Sequence, residues 1–268
     1  MSQDLNQDAN SVAAWIASLL KQRGIDRIFG LQGGHIQPIW DCLGKQGTRI
    51  IDVRDEGAAV HMAHAHSELT GQLGVAIVTA GPGVTNCVTA MANAALARTP
   101  VLLIGGCTSR PQANMGPLQD IPHKEILAPI CRYSRTARVA EQVIREFDEA
   151  ISRAFGDLGE PGPVYIEIPT DVLRTSVKKT LIPADWMIPK PTRKLLPDPE
   201  LIEKAAHLIR QSKRPLVITG RGGKNSRYEL TRFLDTVNAV YLDTQESRGL
   251  IDRNNKAFVG AMRAAAMN

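Results

Sequence analysis

Residues 75–83 read VAIVTAGPG, six apolar or β-branched residues followed by a proline between two glycines. An uninterrupted run of this kind is typical of a strand that is buried on both faces of a parallel sheet. Gly81, Pro82 and Gly83 cannot continue a strand, so the segment predicts a strand that ends in a tight turn before a helix. This strand–turn–helix sequence decides the fold class.

The same alternation of strand and helix extends to both sides of this stretch. It predicts an α/β fold, a mainly parallel sheet flanked by helices on both faces with right-handed crossovers. The further strands are predicted at IDRIFGL (25–31), TRIIDVRD (48–55), VLLIGG (101–106) and VYIEIP (164–169), and helices over 9–23, 35–43, 56–69, 86–97 and 140–155.

A proline-rich segment divides the chain. Residues 181–199, LIPADWMIPKPTRKLLPDP, carry five prolines and little periodicity, so we interpret 181–198 as a linker. It separates a first α/β domain of residues 1–180 from a second unit of residues 199–268. The second unit shows helices over 199–211 and 226–238 and only two clear strands, PLVITG and AVYLDT. Two strands and two helices cannot cover one another well, so we expect an incomplete, Rossmann-like second domain.

The composition excludes several classes of function. The chain has a net charge of +5 and 4% aromatic residues, but its Lys and Arg residues form no basic run, so nucleic acid is not an expected partner. The longest apolar runs are about six residues, far short of the roughly 20 that span a bilayer. The N-terminus, MSQDLNQDANS, lacks the basic and apolar regions of a signal peptide. We expect a cytoplasmic protein that acts on a small molecule.

The sequence predicts neither disulfides nor a metal site. The cysteines share no Cys-x-x-Cys spacing and are expected to be buried free thiols, as is usual in a reducing compartment; they are Cys42, Cys87, Cys107 and Cys131. His61 and His64 could share one helical face. No carboxylate or thiolate completes a ligand set there, so polar packing at a subunit contact is the preferred interpretation.

Polar or glycine-rich turns follow three strands of the predicted sheet. They are Gln32 to His35, Asp55–Glu56, and Gly81 to Gly83. Each has an ordinary explanation: a solvent-facing helix start, a carboxylate on a helix dipole, and a rigid turn. Ligands of parallel α/β sheets bind at the carboxyl ends of strands, so three such turns in succession indicate a ligand site. A nicotinamide site is not expected, because no Gly-x-Gly-x-x-Gly follows the first strand.

With these features the sequence resembles the thiamine-diphosphate-dependent enzymes of the acetolactate synthase, 2-oxoacid decarboxylase and benzaldehyde lyase group. The resemblance covers their N-terminal pyrimidine-binding domain and the first part of their middle domain. It is carried by RIFGLQGGHIQPIWD (27–41), IIDVRDEGAA (50–59), VAIVTAGPGVTN (75–86), NAALARTPVLLIGG (93–106) and EPGPVYIEIPTDV (160–172).

The resemblance implies a role for Glu56. In this family a carboxylic acid exchanges a proton with the pyrimidine ring of thiamine diphosphate, which favours deprotonation of the thiazolium carbon. Glu56 matches that position, and Gly81 and Gly83 would let the backbone approach the pyrimidine. The residues implied in cofactor binding are Gln32, Gly33, Gly34, Glu56, Gly81, Pro82, Gly83 and Asn86.

The resemblance also places His35 and Gln119 near the reacting carbon. Acetolactate synthases typically carry a small residue in place of His35, whereas benzaldehyde lyase-like enzymes carry a histidine there and a glutamine in the loop after the fourth strand. His35 and Gln119 could therefore position a hydroxyl or carbonyl group and relay its proton during cleavage or formation of a C–C bond. A synthase or a decarboxylase remains an alternative.

Several features depart from the family pattern. Leu118 stands where acetolactate synthases have phenylalanine, and Ala65 to Glu68 replace a common Gly-Tyr-Ala-Arg run, which makes subunit pairing less certain. The family's Gly-Asp-Gly segment, which holds Mg²⁺ and the diphosphate in a further domain, does not occur. We therefore expect a partner chain or domain that carries this site, in a homo- or hetero-oligomer that is at least dimeric.

Two questions stay open at this point. Relatives sometimes bind FAD in the middle domain, and Gly220 to Gly223 could cradle a phosphate, although a tight turn is the preferred interpretation. The chain could also be a non-catalytic regulatory or assembly module that shares the fold.

Overall fold

The computed structural model describes residues 9–157, 159–190 and 196–262. Most of the N-terminus tested for a signal peptide, part of the predicted linker and the end of the predicted second domain lie outside the described residues. Contacts between residues divide the chain into two units, Met1–Arg193 and Lys194–Asn268. The domain boundaries at 180 and 199 stay a prediction.

The first unit contains a six-stranded sheet in which every strand pair is parallel. Its order is β2-β1-β3-β4-β6-β5, which confirms the predicted α/β class. The strands are β1 (Arg27–Gly30), β2 (Arg49–Asp52), β3 (Gly74–Val78), β4 (Val101–Cys107), β5 (Tyr133–Thr136) and β6 (Val164–Pro169).

Helices cover both faces of this sheet. Val75 and Ile77 of β3 belong to one buried cluster, and Ala76 and Val78 belong to the other, because successive side chains of a strand point to opposite faces. The helices are α1 (Val12–Gln22), α2 (Gln37–Lys45), α3 (Glu56–Thr70), α4 (Pro82–Thr85), α5 (Val88–Leu96), α6 (His123–Leu127), α7 (Val143–Ala154), α8 (Thr170–Arg174) and α9 (Ala184–Met187).

Three details of the first unit differ from the predictions. Strand β5 and helix α6 were not predicted, because they are short and mix polar with apolar residues. The helix predicted over 86–97 runs from Val88 to Leu96, and a separate short helix that was not predicted precedes it and begins at Pro82, since proline fits the first turn of a helix. The start of the proline-rich segment packs on the first unit, where Met187 is buried in the core.

The second unit contains a three-stranded parallel sheet, so the prediction of only two strands is wrong. Strand β9 escaped prediction because the short Phe258–Ala261 segment contains a glycine and shows no clear alternation. The elements are α10 (Pro199–Gln211), β7 (Leu216–Thr219), α11 (Arg227–Val237), β8 (Val240–Asp243) and β9 (Phe258–Ala261), with strand order β7-β8-β9. Tyr241 is fully buried in the core of this unit.

All four cysteines are free, as predicted. Cys42, Cys87 and Cys107 are buried, whereas Cys131 is only half-buried, so the prediction of burial is wrong for Cys131. Burial raises the pKa of the thiols of Cys87, Cys107 and Cys131, which keeps these side chains protonated. In the part of the chain that the structure describes, no helix is both long and apolar enough to cross a membrane.

Candidate functional site

The strand order brings the three predicted turns to one edge of the sheet. Strand β1 lies between β2 and β3, with Gly30 opposite Asp52 on one side and Ile77 on the other. Because all three strands are parallel, the turns that follow them emerge at the same end. The carboxyl ends of β2, β1 and β3 therefore form the candidate site.

Glu56 is held at this edge by two neighbouring elements. It is the first residue of α3, whose N-cap, Asp55, accepts a hydrogen bond from the Ala58 N–H at 2.9 Å. Glu56 Oε2 accepts a hydrogen bond from Asn86 Nδ2 at 2.9 Å. A Cβ placed at Gly83 would lie 3.6 Å from Glu56 Oε1, so the carboxylate faces a backbone with no side chain.

Thr79 connects the first and third turns. A Cβ at Gly33 would lie 2.5 Å from Thr79 Cβ, and a Cβ at Gly83 would lie 3.0 Å from Thr79 Cγ2. His35 Nδ1 lies 3.4 Å from Thr79 Oγ1, a long hydrogen-bond distance. Sequence reasoning missed Thr79 as a site residue, although it immediately precedes the Ala-Gly-Pro-Gly turn.

His35 and Gln119 both reach the same edge of the sheet. Burial lowers the pKa of His35, which favours a neutral imidazole. Gln119 adopts a left-handed backbone conformation with φ of 68°, and a Cβ at Gly81 would lie only 2.7 Å from Gln119 Cβ. Within the described residues no hydrogen bond joins His35 to Gln119.

For three further residues, the predicted role in cofactor binding stays a prediction. The Gln32 side chain is exposed and bonds Gln37. A Cβ at Gly34 would meet no atom within 4 Å, so packing within this chain does not require a glycine there. Pro82 is exposed in the first turn of α4. Among residues 9–157, 159–190 and 196–262, no group of three or more His, Cys, Asp or Glu could hold a metal ion.

A buried polar network that the sequence did not reveal lies behind Gly81. The Gly81 N–H donates to His123 Nε2 at 2.7 Å, and His123 Nδ1 lies 2.8 Å from Glu167 Oε2. Tyr165 donates to Glu167 Oε2 at 2.8 Å, and Thr136 donates to Glu167 Oε1 at 2.6 Å. Burial and the neighbouring Glu167 carboxylate raise the pKa of Tyr165, so its hydroxyl remains a donor.

The donor set and the shape fit the pyrimidine end of thiamine diphosphate. Glu56 supplies a carboxylate at a helix N-terminus, Asn86 orients it, and Gly83 presents bare backbone beside it. A flat heteroaromatic ring could approach this backbone, whereas a side chain at Gly83 would occupy the space next to the carboxylate.

Known family models match both units of the chain. Residues 10–126 match the family described as thiamine pyrophosphate enzyme, N-terminal TPP binding domain, and residues 202–268 match its central domain. The chain belongs to the thiamine pyrophosphate enzyme family. This confirms the resemblance stated above.

Similar family members include lyases and a synthase. The chain is 32% identical to human 2-hydroxyacyl-CoA lyase 2 over 94% of its own length and 45% of that protein. It is 29% identical to mouse 2-hydroxyacyl-CoA lyase 1 over 98% of the chain and 45% of that protein. It is 30% identical to a probable acetolactate synthase of Mycobacterium bovis over 94% of the chain and 46% of that protein. The chain thus spans less than half the length of these relatives.

Proposed function

We propose that this chain supplies the pyrimidine-binding part of a thiamine-diphosphate-dependent enzyme that cleaves or forms a C–C bond. The observation that carries the proposal is the placement of Glu56, a carboxylate fixed by Asn86 at 2.9 Å and facing the bare backbone of Gly83. A non-catalytic module would need no such arrangement.

The contacts at this edge of the sheet suggest a separate role for each residue. When bound, thiamine diphosphate would supply a carbon nucleophile for the substrate carbonyl and, in its thiazolium ring, an electron sink for the C–C bond that forms or breaks. Glu56 holds or releases a proton at its Oε1, while Asn86 fixes the rotamer of the carboxylate through Oε2. Gly83 keeps the adjoining space open, and the Thr79 side chain lies close to both Gly83 and Gly33.

For the substrate we propose a 2-hydroxyacyl compound, by analogy with the names of the 2-hydroxyacyl-CoA lyases. The half-buried, preferentially neutral His35 would meet its hydroxyl or carbonyl group, with Gln119 as a second polar contact. A benzaldehyde lyase-like activity on 2-hydroxy ketones or aldehydes uses the same two residues. An acetolactate synthase or 2-oxoacid decarboxylase is the alternative, which the likeness to the mycobacterial protein favours.

The proposed enzyme also needs groups beyond those described above. By the family resemblance, Mg²⁺ and the diphosphate are held by a further domain or chain, which would belong to a neighbouring subunit of an assembly that is at least dimeric. The family matches give no support to FAD as a second cofactor. The compartment of action stays a prediction.

Substitution of Glu56 by glutamine tests this function. The assembly that completes the site is loaded with thiamine diphosphate and Mg²⁺, and release of aldehyde from a 2-hydroxyacyl thioester is measured. Loss of the exchangeable proton should lower the rate by at least about a hundredfold, at the lower end of what general acid–base groups contribute. The exposed Glu141→Gln is the matched control. Unchanged turnover in Glu56→Gln would instead favour the non-catalytic module.

The same assay separates the substrate alternatives. The unmodified assembly is offered a 2-hydroxyacyl thioester, a 2-hydroxy ketone and a 2-oxo acid at equal concentration. Fastest turnover of the thioester supports the proposed substrate class. Fastest turnover of the 2-oxo acid supports a synthase or decarboxylase, and Glu56→Gln should lower whichever activity is found by at least about a hundredfold.

A further inference from the structure

The turn that faces Glu56 is tied to strand β6 by a buried side chain. Gly81 lies at the start of this turn with φ of 63° and ψ of −126°, so its N–H does not join the hydrogen bonds of α4. That N–H donates instead to His123 Nε2 at 2.7 Å. His123 is 2% exposed, so water cannot readily replace it as the acceptor.

The contacts of His123 indicate which of its ring nitrogens carries a proton. A ring nitrogen that accepts the Gly81 N–H cannot itself carry a proton, so Nε2 is bare. His123 Nδ1 lies 2.8 Å from Glu167 Oε2 and therefore carries the ring's one proton, which it donates to the carboxylate. In a protonated imidazolium, Nε2 would also carry a proton, and its N–H would face the N–H of Gly81 with no acceptor between them. Glu167 thus selects one neutral tautomer, as carboxylates commonly do for functional histidines.

Helix α4 connects Gly81 to the side chain that holds Glu56. The Gly81 carbonyl accepts from the N–H of Val84 at 3.0 Å and of Thr85 at 3.2 Å, which starts the helix. One residue further, Asn86 ends it and holds the Glu56 carboxylate at 2.9 Å. A displacement of Gly81 would therefore shift the open backbone of the turn and the group that orients Glu56 together.

We propose that His123 is a positioning residue, held in one neutral tautomer by Glu167, that fixes the Gly81–Gly83 turn against Glu56 in the geometry that cofactor activation requires. The proposal rests on the function proposed above. Glu167 keeps two further donors, Tyr165 and Thr136, so it does not depend on His123 alone for its hydrogen bonds. Accepting the Gly81 N–H is the contribution of His123 to the site.

Two substitutions separate this role from simple packing. His123→Gln keeps an acceptor at about the reach of Nε2, whereas His123→Leu has a similar volume and no acceptor. The loaded assembly is studied by following the exchange of the C2 proton of thiamine diphosphate for deuterium, with no substrate present. Leaving the Gly81 N–H unpaired should slow this exchange by about tenfold to a hundredfold in His123→Leu. His123→Gln should restore it to near the unmodified rate.

A measurement on the unmodified chain does not depend on the folding of any variant. In ¹⁵N-histidine NMR at neutral pH, His123 should show a protonated Nδ1 and a bare Nε2 coupled to the Gly81 amide. The opposite tautomer, or an imidazolium, would overturn the proposal. Equal exchange rates in His123→Leu and the unmodified assembly would also overturn it, provided that Glu56→Gln slows exchange. If Glu56→Gln leaves exchange unchanged as well, the proposed function itself fails.

Discussion

Replacing Gly83 by alanine should separate cofactor binding from folding. The new Cβ would lie 3.0 Å from Thr79 Cγ2, so Thr79 must give way by a few tenths of an ångström. Gly83 lies within α4, where alanine is favoured over glycine by about 0.5–1 kcal/mol. The steric contact with Thr79 destabilises the folded protein, whereas the helix preference of alanine stabilises it. These two effects oppose each other, so the free energy of unfolding should change by less than about 1 kcal/mol.

Binding of the cofactor should respond more strongly. The same methyl group would lie 3.6 Å from Glu56 Oε1, in the space that the pyrimidine ring needs. Overpacking a close-fitting site costs about 1–3 kcal/mol, which weakens binding by roughly 5- to 150-fold. Calorimetric titration of the assembly with thiamine diphosphate and Mg²⁺ measures this loss, and chemical denaturation of the same variant measures its stability.

Gly44→Ala is the matched control for this experiment. Gly44 also lies within a helix, α2, and a Cβ there would meet no atom within 4 Å, so neither stability nor cofactor affinity should fall. If Gly83→Ala bound the cofactor as tightly as the unmodified protein, the pyrimidine would not lie against this turn. If both variants lost affinity equally, the distinction drawn between the two glycines would be wrong.

Two further predictions concern the first unit. Asp148 and Arg23 form an ion pair at 2.5 Å, with both side chains 7% exposed, so Asp148→Asn leaves a buried cation and should destabilise the protein by about 3–5 kcal/mol on denaturant unfolding. Asp26→Asn removes an exposed pair and should cause no measurable change. Burial lowers the pKa of His35 below its usual value of 6.5, so the folded protein binds this proton less readily than the unfolded chain does. The His35 contribution to the free energy of unfolding should therefore be complete above pH 6.5 and should fall as the pH drops below that value. His35→Gln should reduce the change in the free energy of unfolding with pH, measured by denaturant unfolding at several pH values. If that change stayed the same, the pH dependence would not come from His35.

The sequence was sufficient for the features that depend on local pattern. The buried runs of β3 and β4 and the glycine turn after β3 predicted a parallel sheet, and the order of the strands placed Glu56 and Gly83 at one edge. The Glu56 and Asn86 side chains do meet there. The sheet and its shared edge follow from periodicity and from the geometry of parallel strands, whereas the family resemblance implied the roles of Glu56 and Asn86.

Features that depend on contacts distant in sequence could not be predicted. His123 and Glu167 are 44 residues apart, and each is an ordinary polar residue in its own segment. Their meeting requires β6 to lie beside β4, which no local pattern specifies. Likewise, Met187 is buried in the first unit, because the proline-rich segment has apolar residues whose partners lie elsewhere in the chain.

Gln119, one of the residues expected to meet the substrate, is anchored differently from the residues expected to activate the cofactor. Glu56 begins a 15-residue helix and is tied to Asn86, whereas Gln119 lies in the largely exposed loop after β4 and packs on Gly81. The loop can therefore change in sequence while the rigid edge of the sheet is retained. Substitutions in this loop can therefore alter substrate preference, while the sheet edge that carries Glu56 stays the same.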